Sequence, residues 1–206
     1  MIDIHKTPLF TQEVYSFMMP DHTHWKEQIK NIILVEKNKA LHNYSTTPEK
    51  ACNIKGNRTA WDTHIRYSSI SILSHKICEI IYNFIRQEDF DAPKLKIHNC
   101  WINWYNKDHS AVPHLHSCHL SLVYFVDVEK AKASFLFYEN NNFRLVRKKE
   151  NSNNISTIKE LHTKDGLVLM FSGSLSHSVT PNQTDKERVT LAMNFNVAYD
   201  EERPSY

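Results

Sequence analysis

The feature that most constrains the fold is a change of character at Lys94. Beyond it, the chain consists of short runs rich in β-branched and aromatic residues, which are typical of β-strands. Polar turn signals separate these runs, among them the Asp165-Gly166 pair and the loop at 172–174. The strand-like runs are 94–105, 120–128, 133–138, 167–171 and 188–197. Several short strands in succession predict a mainly β fold, specifically a double-sheet jelly roll.

The first 93 residues predict a mainly helical part that buttresses the jelly roll. Asp21 can cap one helix, and a second helix is expected to begin near Ser68 or Ser69. Both carry apolar residues at intervals of three and four, as one buried helix face requires. The first stripe is Trp25, Ile29, Ile32 and Ile33, and the second is Leu73, Ile77, Ile80, Ile81 and Phe84. We therefore predict a single domain over 1–206, with a helical part at 1–93 and a jelly-roll core at 94–199 that holds a metal site.

Charge balance argues against nucleic acid as a partner, and the lack of long apolar stretches argues against a membrane. The chain has 25 basic and 23 acidic residues and a formal net charge of +2, which gives no strong signal for nucleic-acid binding. No stretch approaches the roughly 20 apolar residues of a membrane span, and the first residues lack the apolar core of a signal peptide. The four cysteines form no Cys-x-x-Cys pair, so a disulfide framework is not expected. These features predict a cytoplasmic protein.

A homodimer through one of the helical stripes is an open alternative to purely internal packing.

Three histidines and an arginine in the second half suggest a metal site. His114 and His116 would share one face of a β-strand because strand side chains alternate, and His177 would come from a later loop. Neutral imidazoles bind Fe, Zn, Cu and Ni well. Arg188 and Thr190 would share another strand face, where a guanidinium and a hydroxyl can hold a carboxylate. The pattern predicts a metal with three protein ligands and an anionic cosubstrate.

The segments around these residues resemble a known family. They are Trp-Ile-Asn-Trp-Tyr at 101–105, Pro-His-Leu-His at 113–116, Leu-Ser-Leu-Val-Tyr at 120–124, His-Ser-Val-Thr-Pro at 177–181 and Glu187-Arg188. Together they look like the small 2-oxoglutarate-dependent Fe(II) oxygenases, in particular an uncharacterised phage and bacterial branch related to the prolyl hydroxylases. The resemblance covers residues 94–197. In the N-terminal part only Thr-Ala-Trp-Asp at 59–62 is similar to a segment of that branch.

The resemblance implies a cupin-like, double-stranded β-helix form of the jelly roll. It also implies an enzyme that uses Fe(II), 2-oxoglutarate and O2 to hydroxylate an unknown substrate, releasing succinate and CO2. By this likeness, His114, His116 and His177 would bind Fe(II). Arg188 and Thr190 would hold the far carboxylate of 2-oxoglutarate, and Tyr105 and Asn103 would also contact it. The activity would lie in the cytoplasm, or in the host cytoplasm if the chain is viral.

His116 departs from the two-His-one-carboxylate triad common in this superfamily, because it stands where a carboxylate is usual. The residues therefore leave other classes open: a cupin-like dioxygenase, a zinc lyase or hydrolase, or a noncatalytic binding domain. The spacing of Asp108 does not suit a replacement carboxylate on the same strand. We interpret His119 as a bystander or a group behind the ligands, and Cys118 as a small buried residue.

Overall fold

The computed structural model describes residues 13–42, 54–87, 94–139 and 158–198. The predicted loop at 140–156, with its basic residues Arg144, Arg147, Lys148 and Lys149, lies outside these ranges. So do the helix-ending segment 91–93 and the charged tail at 200–206. Within the described residues, no helix is both long and apolar enough to span a membrane.

The described chain contains three helices and eleven strands. The helices are α1 (His22–His42), α2 (Thr63–Arg66) and α3 (Ser68–Gln87). The strands of the N-terminal part are β1 (Val14–Met18), β2 (Ile54–Lys55) and β3 (Asn57–Arg58). The others are β4 (Lys94–Tyr105), β5 (Ser110–His114), β6 (Leu120–Asp127), β7 (Phe135–Tyr138), β8 (Ile158–Leu161), β9 (Leu167–Ser172), β10 (His177–Val179) and β11 (Arg188–Ala198).

The strands form two antiparallel sheets that pack face to face. The larger sheet has the order β1-β9-β6-β11-β4-β3, and the smaller has the order β2-β5-β10-β7-β8. Apolar side chains from both sheets fill the space between them, including Phe125 and Phe171 from the larger sheet and Phe135 and Phe137 from the smaller one. The predicted jelly roll is confirmed.

The helices cover the outer face of the larger sheet. The predicted stripe of α1 is buried there, and so are Leu73, Ile77 and Ile81 of α3. Alternate residues of β11 belong to this helix-side core, namely Val189, Leu191, Met193 and Phe195. Because strand side chains alternate, Arg188, Thr190 and Asn194 point the other way, into the space between the sheets. This alternation is what aims polar groups at the interior.

The N-terminal part differs from the prediction because it also supplies three strands. β1 pairs with β9, β2 with β5 and β3 with β4, so this part extends both sheets as well as buttressing one. β2 and β3 have two residues each and are too short to show alternation, which is why the sequence pattern missed these two. Asp21 precedes α1 as expected, but its carboxylate accepts a hydrogen bond from Lys76 Nζ at 2.7 Å.

Candidate metal centre

The three predicted histidines meet at one end of the space between the sheets. Their ligand atoms all lie within 4.8 Å of one another. His114 ends β5 and His177 begins β10, and the two residues are paired across these strands. Two predicted placements were wrong. His116 lies beyond the end of β5, and His177 is a strand residue rather than a loop residue.

Each of the three imidazoles is oriented by an oxygen atom at its Nδ1. His114 Nδ1 lies 2.7 Å from the carbonyl oxygen of Val112, and His177 Nδ1 lies 2.9 Å from that of Leu175. His116 Nδ1 lies 2.8 Å from Oδ1 of Asn194. Carbonyl and amide oxygens only accept hydrogen bonds, so each Nδ1 carries the proton and donates it. Each Nε2 therefore keeps its lone pair, which is the tautomer that a metal needs.

Burial also keeps the three rings neutral. Desolvation lowers the pKa of His114 and of His116, and it lowers the pKa of His177 to about 3. The ring of His177 is surrounded by aromatic rings, with centroids 4.9 Å away for Phe171 and 5.6 Å away for Phe135. A cluster of neutral, fixed imidazoles can bind a divalent metal without first losing protons.

A second set of polar side chains lies on neighbouring strands of the larger sheet. Arg188 is only 1% exposed, and its guanidinium lies 5.7 Å from the Tyr105 ring centroid and 5.4 Å from that of Phe125. Its Nε and Nη2 have no hydrogen-bond partner in the described part of the chain. Burial lowers the pKa of Arg188 to about 10, so the group stays charged at neutral pH. A buried cation without an anion is costly, and an anionic ligand would remove that cost.

The other predicted residues of this set lie beside Arg188. Thr190 pairs with Asn103, and Arg188 pairs with Tyr105, across β11 and β4. Asn103 Nδ2 lies 3.5 Å from Thr190 Oγ1, and Asn103 Oδ1 has no partner among the described residues. Burial raises the pKa of Tyr105 to about 12, which keeps its phenol protonated and able to donate. All four side chains are buried.

Sequence reasoning missed the side chains that hold His116. Ser121 Oγ lies 3.0 Å from His116 Nδ1 and donates to Asn194 Oδ1 at 2.9 Å. Cys118 Sγ lies 3.3 Å from Ser121 Oγ, so this thiol borders the network. The alternation that placed Arg188 and Thr190 on one face also places Asn194 there, four residues after Thr190. That pattern could have identified Asn194.

Two side chains weighed from the sequence stay outside the metal cluster. Among the described residues, the ligand group contains only the three histidines, and neither Asp108 nor His119 belongs to it. Asp108 lies in the turn before β5 with a φ of 63°. The backbone N–H of His119 donates to the carbonyl of Phe195. The cluster is therefore made of three neutral ligands without a carboxylate.

Comparison with known proteins adds a family match. Residues 99–194 match the family model described as putative 2OG-Fe(II) oxygenase. The matched segment contains the site residues His114, His116, His177, Arg188 and Asn194. No curated protein sequence matches the chain.

Solved structures share the fold at low sequence identity. HygX from Streptomyces hygroscopicus, with nickel and 2-oxoglutarate bound, has a TM-score of 0.60 at 13% identity, over 90% of this chain and 83% of that one. A prolyl-4-hydroxylase from Pseudomonas putida has a TM-score of 0.55 at 12% identity, over 90% and 93%. A viral collagen prolyl hydroxylase from Paramecium bursaria Chlorella virus-1 has a TM-score of 0.54 at 11% identity, over 90% and 96%. The predicted resemblance to these oxygenases is confirmed.

Proposed function

We propose that this chain is an oxygenase that uses Fe(II), 2-oxoglutarate and O2 to hydroxylate its substrate. One observation carries the proposal: the fully buried guanidinium of Arg188 has two nitrogens without a partner among the described residues, and it lies in the same interior as three metal-ready imidazoles. An anion must neutralise the guanidinium of Arg188, and a metal cation suits the three imidazoles. A dicarboxylate with a chelating keto acid at one end satisfies both demands.

The metal would be held by His114, His116 and His177 through their Nε2 atoms. Three protein ligands leave other coordination positions for a chelating cosubstrate and for O2. The chemistry that bound Fe(II) and 2-oxoglutarate supply is the reductive activation of O2, with succinate and CO2 as products. The protein contributes orientation, because a fixed oxygen acceptor holds every ring.

The far carboxylate of the cosubstrate would pair with Arg188. A guanidinium can bind two carboxylate oxygens at once, and the unpartnered Nε and Nη2 are free to do so within the described structure. Thr190 and Tyr105 can donate further hydrogen bonds from their hydroxyls. Rotating the Asn103 amide by half a turn would bring Nδ2 to the position of its unpartnered Oδ1, where it could donate as well.

The lack of a carboxylate ligand suits a doubly negative cosubstrate. With three neutral imidazoles, the metal keeps its full charge of two, and Arg188 adds one more positive charge. A dianion such as 2-oxoglutarate compensates most of this charge in a buried space, where uncompensated charge is costly. We further propose that the enzyme acts in the cytoplasm, or in the host cytoplasm if the chain is viral.

The test is anaerobic titration of the ferrous protein with 2-oxoglutarate, followed by succinate measurement after O2 is added. We expect a visible charge-transfer band on titration and succinate formation only with Fe(II). His177→Ala should abolish both signals, and His119→Ala should preserve them as the matched control.

Failure of the ferrous wild-type protein to bind or turn over 2-oxoglutarate would contradict the proposal. If the protein also retained zinc through chelation, a zinc lyase or hydrolase would become the better assignment.

A further inference from the structure

Two polar atoms on the inner face of β4 are buried near His116 without a partner. They are Nε1 of Trp101 and Oδ1 of Asn99, and neither has a hydrogen bond to any described residue. Asn99 pairs across β4 and β11 with Asn194, the residue that contacts His116. Trp101 is only 4% exposed. Because strand side chains alternate, these two residues share a face with Asn103 and Tyr105, which lie at the Arg188 end. One strand face therefore carries two polar sets: one beside Arg188 and one beside the metal cluster.

Trp101 connects the metal cluster to the protein surface. Its ring centroid lies 5.8 Å from that of His116 and 4.6 Å from that of Trp61. Trp61 is 44% exposed, and the guanidinium of Arg58 lies 3.9 Å from its ring centroid. Arg188, in contrast, is sealed inside the protein. A molecule that reaches the metal past Trp61 would meet Trp101 before it meets His116.

We infer that Trp101 and Asn99 recognise the substrate, and that they bind an acyclic amide on it. The indole N–H would donate to the amide carbonyl, and Asn99 Oδ1 would accept from the amide N–H. This inference rests on the proposed function, because it assigns the Arg188 end of the interior to the cosubstrate.

The chemistry of the two groups favours a neutral donor–acceptor unit. A charged substrate group would lose its hydration here without meeting an opposite charge from either side chain. Residues two apart on a strand are separated by roughly 6.6 Å. This spacing suits a unit whose donor and acceptor are different atoms better than it suits a single hydroxyl. The net charge of +2 gives no strong attraction to nucleic acid, which disfavours a nucleobase as the source of the amide.

The test uses the whole protein labelled with 5-fluorotryptophan and loaded with Zn(II) and 2-oxoglutarate. Fluorine NMR then gives one signal for each of the four tryptophans, assigned through single Trp→Phe variants. We expect N-methylacetamide to shift the Trp101 signal with saturation. Trp25 is the internal control, because its Nε1 is also buried and unpartnered but lies on the helix side of the larger sheet. Its signal should not move.

Matched probes and variants define the recognised group. N,N-dimethylacetamide, which lacks the N–H, should bind about tenfold more weakly, and Asn99→Leu should weaken N-methylacetamide binding by about the same factor. A capped triglycine that binds more tightly than N-methylacetamide would identify a peptide as the source of the amide. Equal binding would identify a small molecule.

The outcomes separate this inference from the proposed function, because the same sample reports 2-oxoglutarate binding through its proton signals. If 2-oxoglutarate binds but N-methylacetamide does not shift the Trp101 signal, the inference is wrong and the proposed function stands. If the amide shifts the Trp101 signal but 2-oxoglutarate does not bind, the proposed function is wrong and amide binding at Trp101 stands. Equal shifts with 2-propanol or with uracil would overturn the assignment of an acyclic amide.

Discussion

His116 donates a hydrogen bond from Nδ1 to Oδ1 of Asn194 over 2.8 Å. This contact ties the histidine that stands in place of a carboxylate to β11, the strand that also carries Arg188. It fixes a ring that no strand holds, because His116 lies beyond the end of β5. Asn194 is therefore a positioning residue for the candidate metal site.

Asn194→Ala should weaken metal binding by about 10- to 100-fold, because His116 loses its amide acceptor and Ser121, which also lies against Nδ1, loses the oxygen to which it donates. Asn194→Asp should keep the acceptor and retain the affinity. Competition with a fluorescent chelator measures the Kd for Zn(II) in each variant. Asn196→Ala, two residues along the same strand, is the control. Equal affinity in wild type and Asn194→Ala would show that the contact does not position the ring.

Arg188→Met should remove most of the affinity for 2-oxoglutarate. The loss of a buried charge partner typically costs about 3 kcal/mol, or roughly a hundredfold in Kd. Without ligand, the variant should be as stable as the wild type or more stable, because an uncompensated buried charge has been replaced by an apolar chain. Calorimetry gives the Kd and urea unfolding gives the stability.

Arg66→Met is the control for Arg188→Met, since the exposed side chain of Arg66 pairs with the exposed carboxylate of Asp62. A destabilised Arg188→Met protein that still binds 2-oxoglutarate normally would mean that Arg188 serves the fold and not the cosubstrate.

The metal-free protein should lose stability as the pH falls from 6.5 towards 3. The folded-state pKa of His177 is about 3, whereas that of an unfolded histidine is 6.5. Between these values the unfolded chain binds a proton that the folded chain does not, so stability rises with pH across this window, by a few kcal/mol at most. Urea midpoints at several pH values measure the slope.

His177→Phe should flatten that slope, because the new ring suits the surrounding phenylalanines and does not titrate. His75→Phe, at an exposed position of α3, should leave the slope as it is in the wild type. Zn(II) should shift the loss of stability to lower pH, since metal and proton compete for the same nitrogen. If His177→Phe left the pH dependence of stability unchanged, that dependence would have to come from other titratable groups.

Gly173→Ala should destabilise the protein and displace His116. A Cβ at position 173 would lie 2.2 Å from the carbonyl oxygen of Cys118, which is backbone and cannot rotate away. The carbonyl of Gly173 also accepts a hydrogen bond from the N–H of His116 at 2.8 Å. Overpacking of this kind costs about 1–3 kcal/mol. The temperature of thermal unfolding should fall, and the Kd for Zn(II) should rise.

The neighbouring exposed substitution Ser174→Ala is the control for Gly173→Ala and should change neither quantity. Normal stability and normal Zn(II) affinity in Gly173→Ala would show that the loop between β5 and β6 can move aside.

The sequence allowed prediction of the elements that have strong periodicity. The apolar spacing of α3 and the alternation of β11 predicted both elements, and with them the orientation of Arg188 and Thr190. The short strands β2 and β3 could not be predicted, because their stability comes from pairing with β5 and β4 rather than from local pattern. The position of His116 depends on its contact with Asn194, 78 residues away, which local rules do not address.

The strand order has a consequence for synthesis of the protein. β1 pairs with β9, so Val14 cannot pair until Phe171 has been synthesised. β11, the last described strand, lies between β6 and β4 in the middle of the larger sheet. The sheet therefore cannot assemble until nearly all the described strands have left the ribosome. Pairing over such long separations is slow, and unpaired strand edges are prone to aggregate while they wait. The nascent chain must avoid aggregation until β11 is synthesised and joins the two halves of the sheet.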